Sequence, residues 1–402
     1  MKQSNPNSLL TKATLLGAST LTVMSGATIA PSLPAMQDHF ASVGNVELWV
    51  RLVLTVPALF IVIGSPLAGV IVDRLGRKPL LVISAALYGF AGSSGFFLDS
   101  LFAILCGRAL LGLSVAGVIV SATTLIADYY IGAARASFMG LQAAFMGLGG
   151  VLFLSTGGSL AESSWRYPFL IYLLAWLLLP LIVTFIYEPR RVNPLTPQRG
   201  NQPSTNASTP TKLLLLIYGV TTLSQVIFYL VPVQLPFYLR SLTNASASQS
   251  GMAIALCTLF SAIASMGYGK VKTRLDFVSI LPLIFFLMGI GYVQIGLAGS
   301  YALILIGLAI AGLGLGLLMP NMTVWVSAAV PDAVRGRALG GLSTSLFLGQ
   351  FLSPIVTQPV SQKFGLGVTY AFCGTLLLVL GVSFIAMKRQ VTAFTATASK
   401  AP

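Results

Sequence analysis

The chain has 402 residues, 56% of them hydrophobic and only 8% charged. A soluble globular chain carries about 25% charged residues, so this composition excludes a water-soluble enzyme or binding module. The formal charge of +14 would suggest a nucleic-acid partner in a soluble protein, but here the basic residues gather at the ends of apolar runs, where they orient a membrane protein.

Apolar runs of about 20 residues recur along the chain, each long enough to cross a bilayer as a helix. Short alternating segments are absent, which argues against a β-barrel. The first half reads as six spans: about Leu9–Ala30, Leu48–Val72, Pro79–Leu98, Leu101–Ala127, Ala136–Leu160 and Tyr167–Tyr187. Pro57 and Pro66 mark kinks in span 2. Lys2 and Lys12 precede a run too long for a signal-peptide core, so it is expected to be a retained first span. From Glu188 to Thr211 the composition turns to Pro, Asn, Ser and Thr without apolar periodicity, as in a solvated linker. Six more runs follow, about Lys212–Leu239, Gly251–Gly269, Phe277–Ala298, Tyr301–Ala329, Ala338–Ser361 and Leu366–Met387. The expected fold is therefore all-α, with twelve transmembrane helices in two six-helix bundles. Residues 1–189 form the first bundle, 190–211 the linker, 212–390 the second bundle and 391–402 a tail.

An even number of spans puts both termini on one side. Lys12, Arg74, Arg77, Lys78, Arg135, Lys212, Lys270, Lys272, Arg274, Arg335 and Arg337 would share that side with Lys2, the linker's Arg190, Arg191 and Arg199, and the tail's Lys388, Arg389 and Lys400. The other side holds Arg51, Arg166, Arg240 and Lys363. The asymmetry predicts cytoplasmic termini and linker. The halves also echo one another. Asp128…Arg135 after span 4 is matched by Asp332…Arg335 after span 10, about 200 residues later.

Cys106, Cys257 and Cys373 all fall inside apolar runs and His39 is the only histidine. The cysteines read as small buried hydrophobes, and neither a metal site nor a histidine triad is expected. No phosphate-binding loop sequence is present, so nothing points to ATP hydrolysis. The expected partners are a small-molecule substrate, protons and the lipid bilayer, with no nucleic acid, no cofactor and a monomeric state.

The most specific stretch is Gly69-Val70-Ile71-Val72-Asp73-Arg74-Leu75-Gly76-Arg77-Lys78, between spans 2 and 3. Its charges mark a membrane surface. On its own it reads as a basic loop. As Gly-x-x-x-Asp-Arg-x-Gly-Arg-Lys it resembles the corresponding loop of the major facilitator superfamily of secondary transporters. The resemblance implies two bundles with a binding site between them near the midplane. It further implies that a loop arginine pairs with Asp128 and that Asp73 faces the start of span 11, around Arg335 to Leu339, when the cytoplasmic side is shut. Gly69, Asp73, Arg74, Gly76, Arg77, Lys78 and Asp128 are thus the expected gate.

Arg108 is the only basic residue deep within a span, at a cost of roughly 2.5–3.5 kcal/mol on insertion scales. It either snorkels to the outer surface or hydrogen-bonds backbone carbonyls, or it lines a cavity. Its Arg-x-x-x-Gly spacing resembles a span 4 motif of the superfamily's antiporters, where this arginine is tied to proton coupling. Two departures weaken that match. The Gly-Pro pair of the drug-antiporter span 5 motif is absent before Gly157-Gly158, and the acidic residue common near the end of span 1 is replaced by Ala27 beside Thr28. All nine acidic residues lie at span ends or in loops. The proton-coupling candidates are therefore Asp38, Glu47, Asp128 and Arg108, and a lipophilic cation would be held by aromatic faces.

Cavity walls follow from helical spacing. Span 7 offers Gln225, Phe228, Tyr229 and Pro232. Span 5 offers Gln142, Phe145, Met146 and Gly149. Span 10 offers Asn321 and Trp325, and span 1 Met24 and Thr28. With Arg108, these give the substrate-binding candidates Met24, Arg108, Gln142, Phe145, Met146, Gln225, Phe228, Tyr229, Asn321 and Trp325. Three functions fit: proton-coupled export of small amphipathic compounds across the cell's inner membrane, transport of an anionic metabolite with Arg108 as its ligand, or a non-transporting sensor on the same fold.

Overall fold

A computed structural model describes residues 8–189 and 211–386. Nearly all of the 190–211 linker and the 391–402 tail, and with them part of the charge asymmetry, lie outside the described residues. Twelve helical segments are long and apolar enough to cross a membrane. In the first half they are Leu9–His39, Val46–Leu75, Arg77–Phe96, Leu101–Tyr129, Gly132–Ser163 and Tyr167–Phe185 (spans 1 to 6). In the second they are Thr211–Thr243, Ala247–Lys272, Phe277–Leu297, Tyr301–Ala329, Val334–Phe364 and Leu366–Ala386 (spans 7 to 12). The described chain begins and ends on one face, called here the terminal face.

Spans 1 and 7 are not single straight helices, for reasons that involve proline. Span 1 continues past Ala27 through a short 3-10 turn at Ala30–Ser32 into a second helix, Leu33–His39. Pro31 and Pro34 sit in the first turns of these pieces, where a missing N–H costs nothing. Span 7 breaks between Phe228 and Leu230. Pro232 has no N–H to give the carbonyl of Phe228. The buried Tyr292 hydroxyl takes up that oxygen at 3.2 Å and the carbonyl of Ile227 at 2.9 Å. A kink in hydrocarbon is tolerable because the freed carbonyl is re-satisfied.

The two halves repeat one packing scheme. A Cβ on Gly112 would lie 2.4 Å from the Pro57 carbonyl oxygen and 2.7 Å from the Phe60 Cβ. A Cβ on Gly312 would lie 2.5 Å from the Cys257 carbonyl oxygen and 3.1 Å from the Phe260 Cβ. Each residue of the second set stands 200 positions after its counterpart in the first. Spans 2 and 4, and spans 8 and 10, thus cross at the same small-residue contact, and no larger side chain fits there.

The halves meet on the face opposite the termini. Arg51 Nε donates to Gln234 Oε1 at 2.8 Å, Gln234 Nε2 to Gln358 Oε1 at 2.9 Å, and Gln358 Nε2 to Glu47 Oε2 at 2.8 Å. Glu47 stands one helical turn before Arg51 in span 2, and Arg51 also donates to its carbonyl at 2.6 Å, so the chain of bonds closes on itself. Gln362 adds a second donor to Glu47 Oε2 at 2.9 Å. The Arg51 guanidinium stacks 4.2 Å over the Phe237 ring. Nearby, Arg240 pairs with Asp38 at 2.6 Å and Ser246 donates to Glu162 at 2.6 Å. Gly158 and Gly251 allow spans 5 and 8 to touch backbone to backbone. Toward the terminal face the halves part. A Cβ added at Gly69, Gly140, Gly267, Gly269, Gly336 or Gly340 would meet nothing within 4 Å.

Removing Gln358 takes away one neutral bond and one bond to a carboxylate, about 2–4.5 kcal/mol in combination, part of which is recovered because Gln362 still donates to Glu47. Gln358→Leu is expected to raise the share of molecules open on this face roughly ten- to hundredfold. A cysteine introduced at the buried Ala30 should then react correspondingly faster with an impermeant maleimide supplied from that side.

Candidate functional site

The parted halves enclose a cavity of about 520 Å³. Spans 1, 2, 4 and 5 of the first half and spans 7, 8, 10 and 11 of the second line it. The span 7 kink turns Phe228 and Tyr229 into it, span 5 contributes Gln142 and Met146, and span 11 contributes Ser343, Phe347 and Gln350. Gln142 Nε2 donates to Ser19 Oγ at 2.8 Å, and Gln350 Nε2 reaches Gln225 Oε1 at 3.4 Å. The Tyr229 hydroxyl closes over Gly26, 2.9 Å from where a Cβ would stand.

Four of the ten substrate-binding candidates therefore line the cavity: Gln142, Met146, Phe228 and Tyr229. Gln225 sits behind the wall as the partner of Gln350. Met24 is fully buried in the first bundle. Phe145 lies on the outer surface of span 5, 42% exposed. Asn321 is buried between spans, accepting from Tyr268 at 3.3 Å and donating to the Phe277 carbonyl at 3.1 Å. Trp325 stacks on Phe277 with ring centroids 5.8 Å apart. The lining residues Thr22, Thr258, Ser343 and Gln350 escaped the spacing argument. One polar residue among small ones on a membrane helix carries no periodic signal.

Arg108 is 1% exposed and does not line the cavity. Its guanidinium donates to the carbonyls of Val53 at 2.9 Å and Ser25 at 2.7 Å, and to the Tyr172 hydroxyl at 2.8 Å. The first two acceptors have a common origin. Pro57 lacks the N–H that would bond Val53, and the first helix of span 1 ends at Ala27, two residues after Ser25. Arg108 fills two carbonyls that the backbone leaves open, and no carboxylate is among its hydrogen-bond partners.

Arg77 and Lys78 of the loop Gly69–Lys78 are tied to their own half. Arg77 Nε pairs with Asp128 Oδ2 at 3.0 Å. Lys78 Nζ donates to the Val183 carbonyl at 2.7 Å. Asp73 and Arg74 are exposed on the terminal face. Glu188, which the sequence had suggested only as the start of a linker, accepts from the backbone N–H groups of Arg77 at 2.9 Å and Lys78 at 2.7 Å. It caps the start of span 3, where an anion gains from the helix dipole. Gly76 turns the chain there at φ +102°, and a Cβ would stand 2.7 Å from Glu188 Oε1.

Comparison with known proteins places this architecture. The Major Facilitator Superfamily family model matches residues 15–238 and 214–400. The chain belongs to the Major Facilitator Superfamily. It is 25% identical over 376 residues to the multidrug resistance protein MdtG of Escherichia coli (strain SMS-3-5 / SECEC), covering 90% of each chain. Among solved structures it resembles a POT family transporter in complex with a thioalcohol-conjugated peptide (TM-score 0.79, 13% identity, 95% of this chain and 96% of that one). It also resembles a D-xylose-proton symporter (TM-score 0.75, 18% identity, 93% and 96%). A bacterial homologue of the human lysosomal transporter Spinster, solved in an inward-facing and occupied conformation, is equally similar in fold (TM-score 0.75, 17% identity, 99% and 98%). The chain is thus a multi-pass membrane transporter of this superfamily.

Gly76→Ala combines an unfavourable backbone conformation, about 1–3 kcal/mol, with a collision against Glu188. Glu188→Ala loses the cap alone, about 0.5–2 kcal/mol. Both are expected to lower the thermal midpoint of the detergent-purified protein, Gly76→Ala more.

Proposed function

We propose that this chain is a secondary active exporter of small amphipathic compounds, working by alternating access and coupled to protons. The observation that carries the reading is the cavity between the halves. It is closed at one face by a polar interlock and walled by aromatic, aliphatic and hydroxyl side chains. Such a wall suits ligands that are mostly apolar with a few polar groups. The likeness to a multidrug resistance protein supports the class of compound.

The described basic residues gather on the terminal face, with Arg51, Arg166, Arg240 and Lys363 on the other. By the positive-inside rule the terminal face is cytoplasmic in the cell's inner membrane. The cavity then opens inward, ready to load from the cytoplasm. As the family resemblance implies, Asp73 would face the start of span 11 when that side is shut, while the Arg77–Asp128 pair stays within its own half. Coupling protons would be carried by carboxylates outside the cavity, with Asp38 and Glu47 in the outer interlock and Asp128 at the inner gate. Arg108 would hold span 1 against span 4 during the movement.

Everted vesicles with an imposed acid interior test this. Addition of a transported compound should dissipate the gradient, read by a pH-sensitive dye. Phe228→Ala and Met146→Ala should each cut the response several-fold, and at least one of Glu47→Gln, Asp38→Asn and Asp128→Asn should abolish it while substrate binding persists. Substrate movement with no proton movement in the unmodified protein would refute the coupling.

A further inference from the structure

From the cavity wall we infer that its ligands are electrically neutral and bear hydrogen-bond donors, such as amides, alcohols or phenols, and that it discriminates against both cations and anions. The inference rests on the proposed transport reading and sharpens it to a substrate class.

The first observation concerns the hydroxyls. Ser19, Thr22, Ser25, Thr258 and Ser343 line the cavity. Each gives its single hydrogen to a backbone carbonyl three or four residues earlier, at 2.7–3.1 Å. Thr123 donates in the same way to Ile119. A hydroxyl has one hydrogen and two lone pairs. With the hydrogen committed to its own helix, each has only acceptor oxygen left to offer, although Ser19 and Ser25 are themselves buried and Ser19 already accepts from Gln142. The amides Gln142 and Gln350 each commit one N–H, to Ser19 and Gln225 respectively, and keep a second N–H and the carbonyl oxygen for other partners. The wall is therefore rich in acceptors. Tyr229 and Ser261, which also line the cavity, keep their hydroxyl hydrogens, so a carboxylate or phosphate, which can only accept, would find a few donors there and lone pairs at the other six hydroxyls.

The second observation is independent and concerns charge. Among the described residues, no acidic or basic side chain lines the cavity. The nearest buried charge behind it is positive. Arg108 is held by the carbonyl of Ser25, itself a lining residue, and its three hydrogen-bond partners are all neutral. In a low-dielectric interior such an uncompensated guanidinium disfavours any second cation nearby. A lipophilic cation would face that field with no carboxylate to offset it. The repeat shows that the fold does not require the charge. The position 200 residues later is Leu308, fully buried. The positive charge is thus specific to the first half, behind the cavity wall.

A wall without charge leaves the desolvation of either ion uncompensated; the acceptor oxygens add to this for anions and the buried guanidinium adds to it for cations. What remains favourable is a neutral molecule with an apolar body for Phe228, Phe347 and Met146 and donors for the hydroxyl oxygens.

The test uses naphthylalkyl probes that share one carbon skeleton and end in a carboxamide, a trimethylammonium or a carboxylate. Their binding to the purified full-length protein at pH 7 is measured by calorimetry. The expected result is at least tenfold tighter binding of the carboxamide than of either charged probe. A smaller preference, or no carboxamide binding, overturns the inference. Met146→Glu, which places a carboxylate on the wall at a half-exposed position, is expected to bring the ammonium probe to at least the affinity of the carboxamide. Continued rejection of the ammonium probe would show that charge at the wall does not set selectivity and would overturn the account equally. The same probes in everted vesicles separate the two readings. Selective binding without transport would defeat the export function and leave this inference standing. Transport that favours a charged probe would defeat this inference and leave export standing.

Discussion

Four side chains, Arg51, Gln234, Gln358 and Glu47, hold one face of the molecule shut, and the cavity has its present shape because of them. The bonds run from the first half to the second and back. Three of the four residues are buried, so each bond is made where water offers a poor alternative and a broken partner is costly. Yet no member is held by apolar packing alone. An interlock of hydrogen bonds can be exchanged for water when the face opens, whereas an interdigitated apolar seam would have to expose its surface. The chemistry that closes this face is also chemistry that permits it to open.

Within each half the packing is of a different kind. Gly112 against Pro57, and Gly312 against Cys257, bring backbones into direct contact, which makes each pair of spans a rigid unit. Arg108 adds to this in the first half by bonding span 1 and span 2 together through carbonyls left open by a helix end and a proline. Its partners are all backbone or phenol, so it carries its full charge into the interior. The asymmetry with Leu308 is notable in a molecule built from a repeat. The two halves share a scaffold but differ in the electrostatics they offer to whatever enters between them.

Much of this was legible in the sequence, because bilayer physics writes plainly. Span number, the approximate span limits and the two repeated halves follow from run length and charge, and the family follows from one loop. The pairing of Arg77 with Asp128 was expected from that loop. What was not legible has specific causes. Glu188 looked like the first residue of a linker, since capping depends on where a chain returns in space. Helical spacing placed Phe145 beside Met146 on one face, but a helix at the edge of an opening presents that face partly outward. Asn321 and Trp325 read as cavity groups because polar and aromatic residues in a span suggest a lumen, yet Asn321 bonds Tyr268 and Phe277 and Trp325 stacks on the Phe277 ring, contacts that join spans to one another. For Arg108, the sequence allowed both a carbonyl-bonded and a cavity-lining position. Only the coincidence of Pro57 with the end of the first helix shows which carbonyls needed a donor.

The central claim is that the halves rock about the cavity, one face closing as the other opens. Distances between paired spin labels test it most directly. One pair would bridge the terminal face at Asp73→Cys and Arg337→Cys, and the other the opposite face at Val43→Cys and Leu242→Cys, all exposed positions, in a background freed of native cysteines. The account predicts reciprocal change. Conditions that shorten the first distance, including Gln358→Leu, lengthen the second. Two distances that shift in the same direction, or a terminal-face distance that stays fixed while the other face opens, would contradict it.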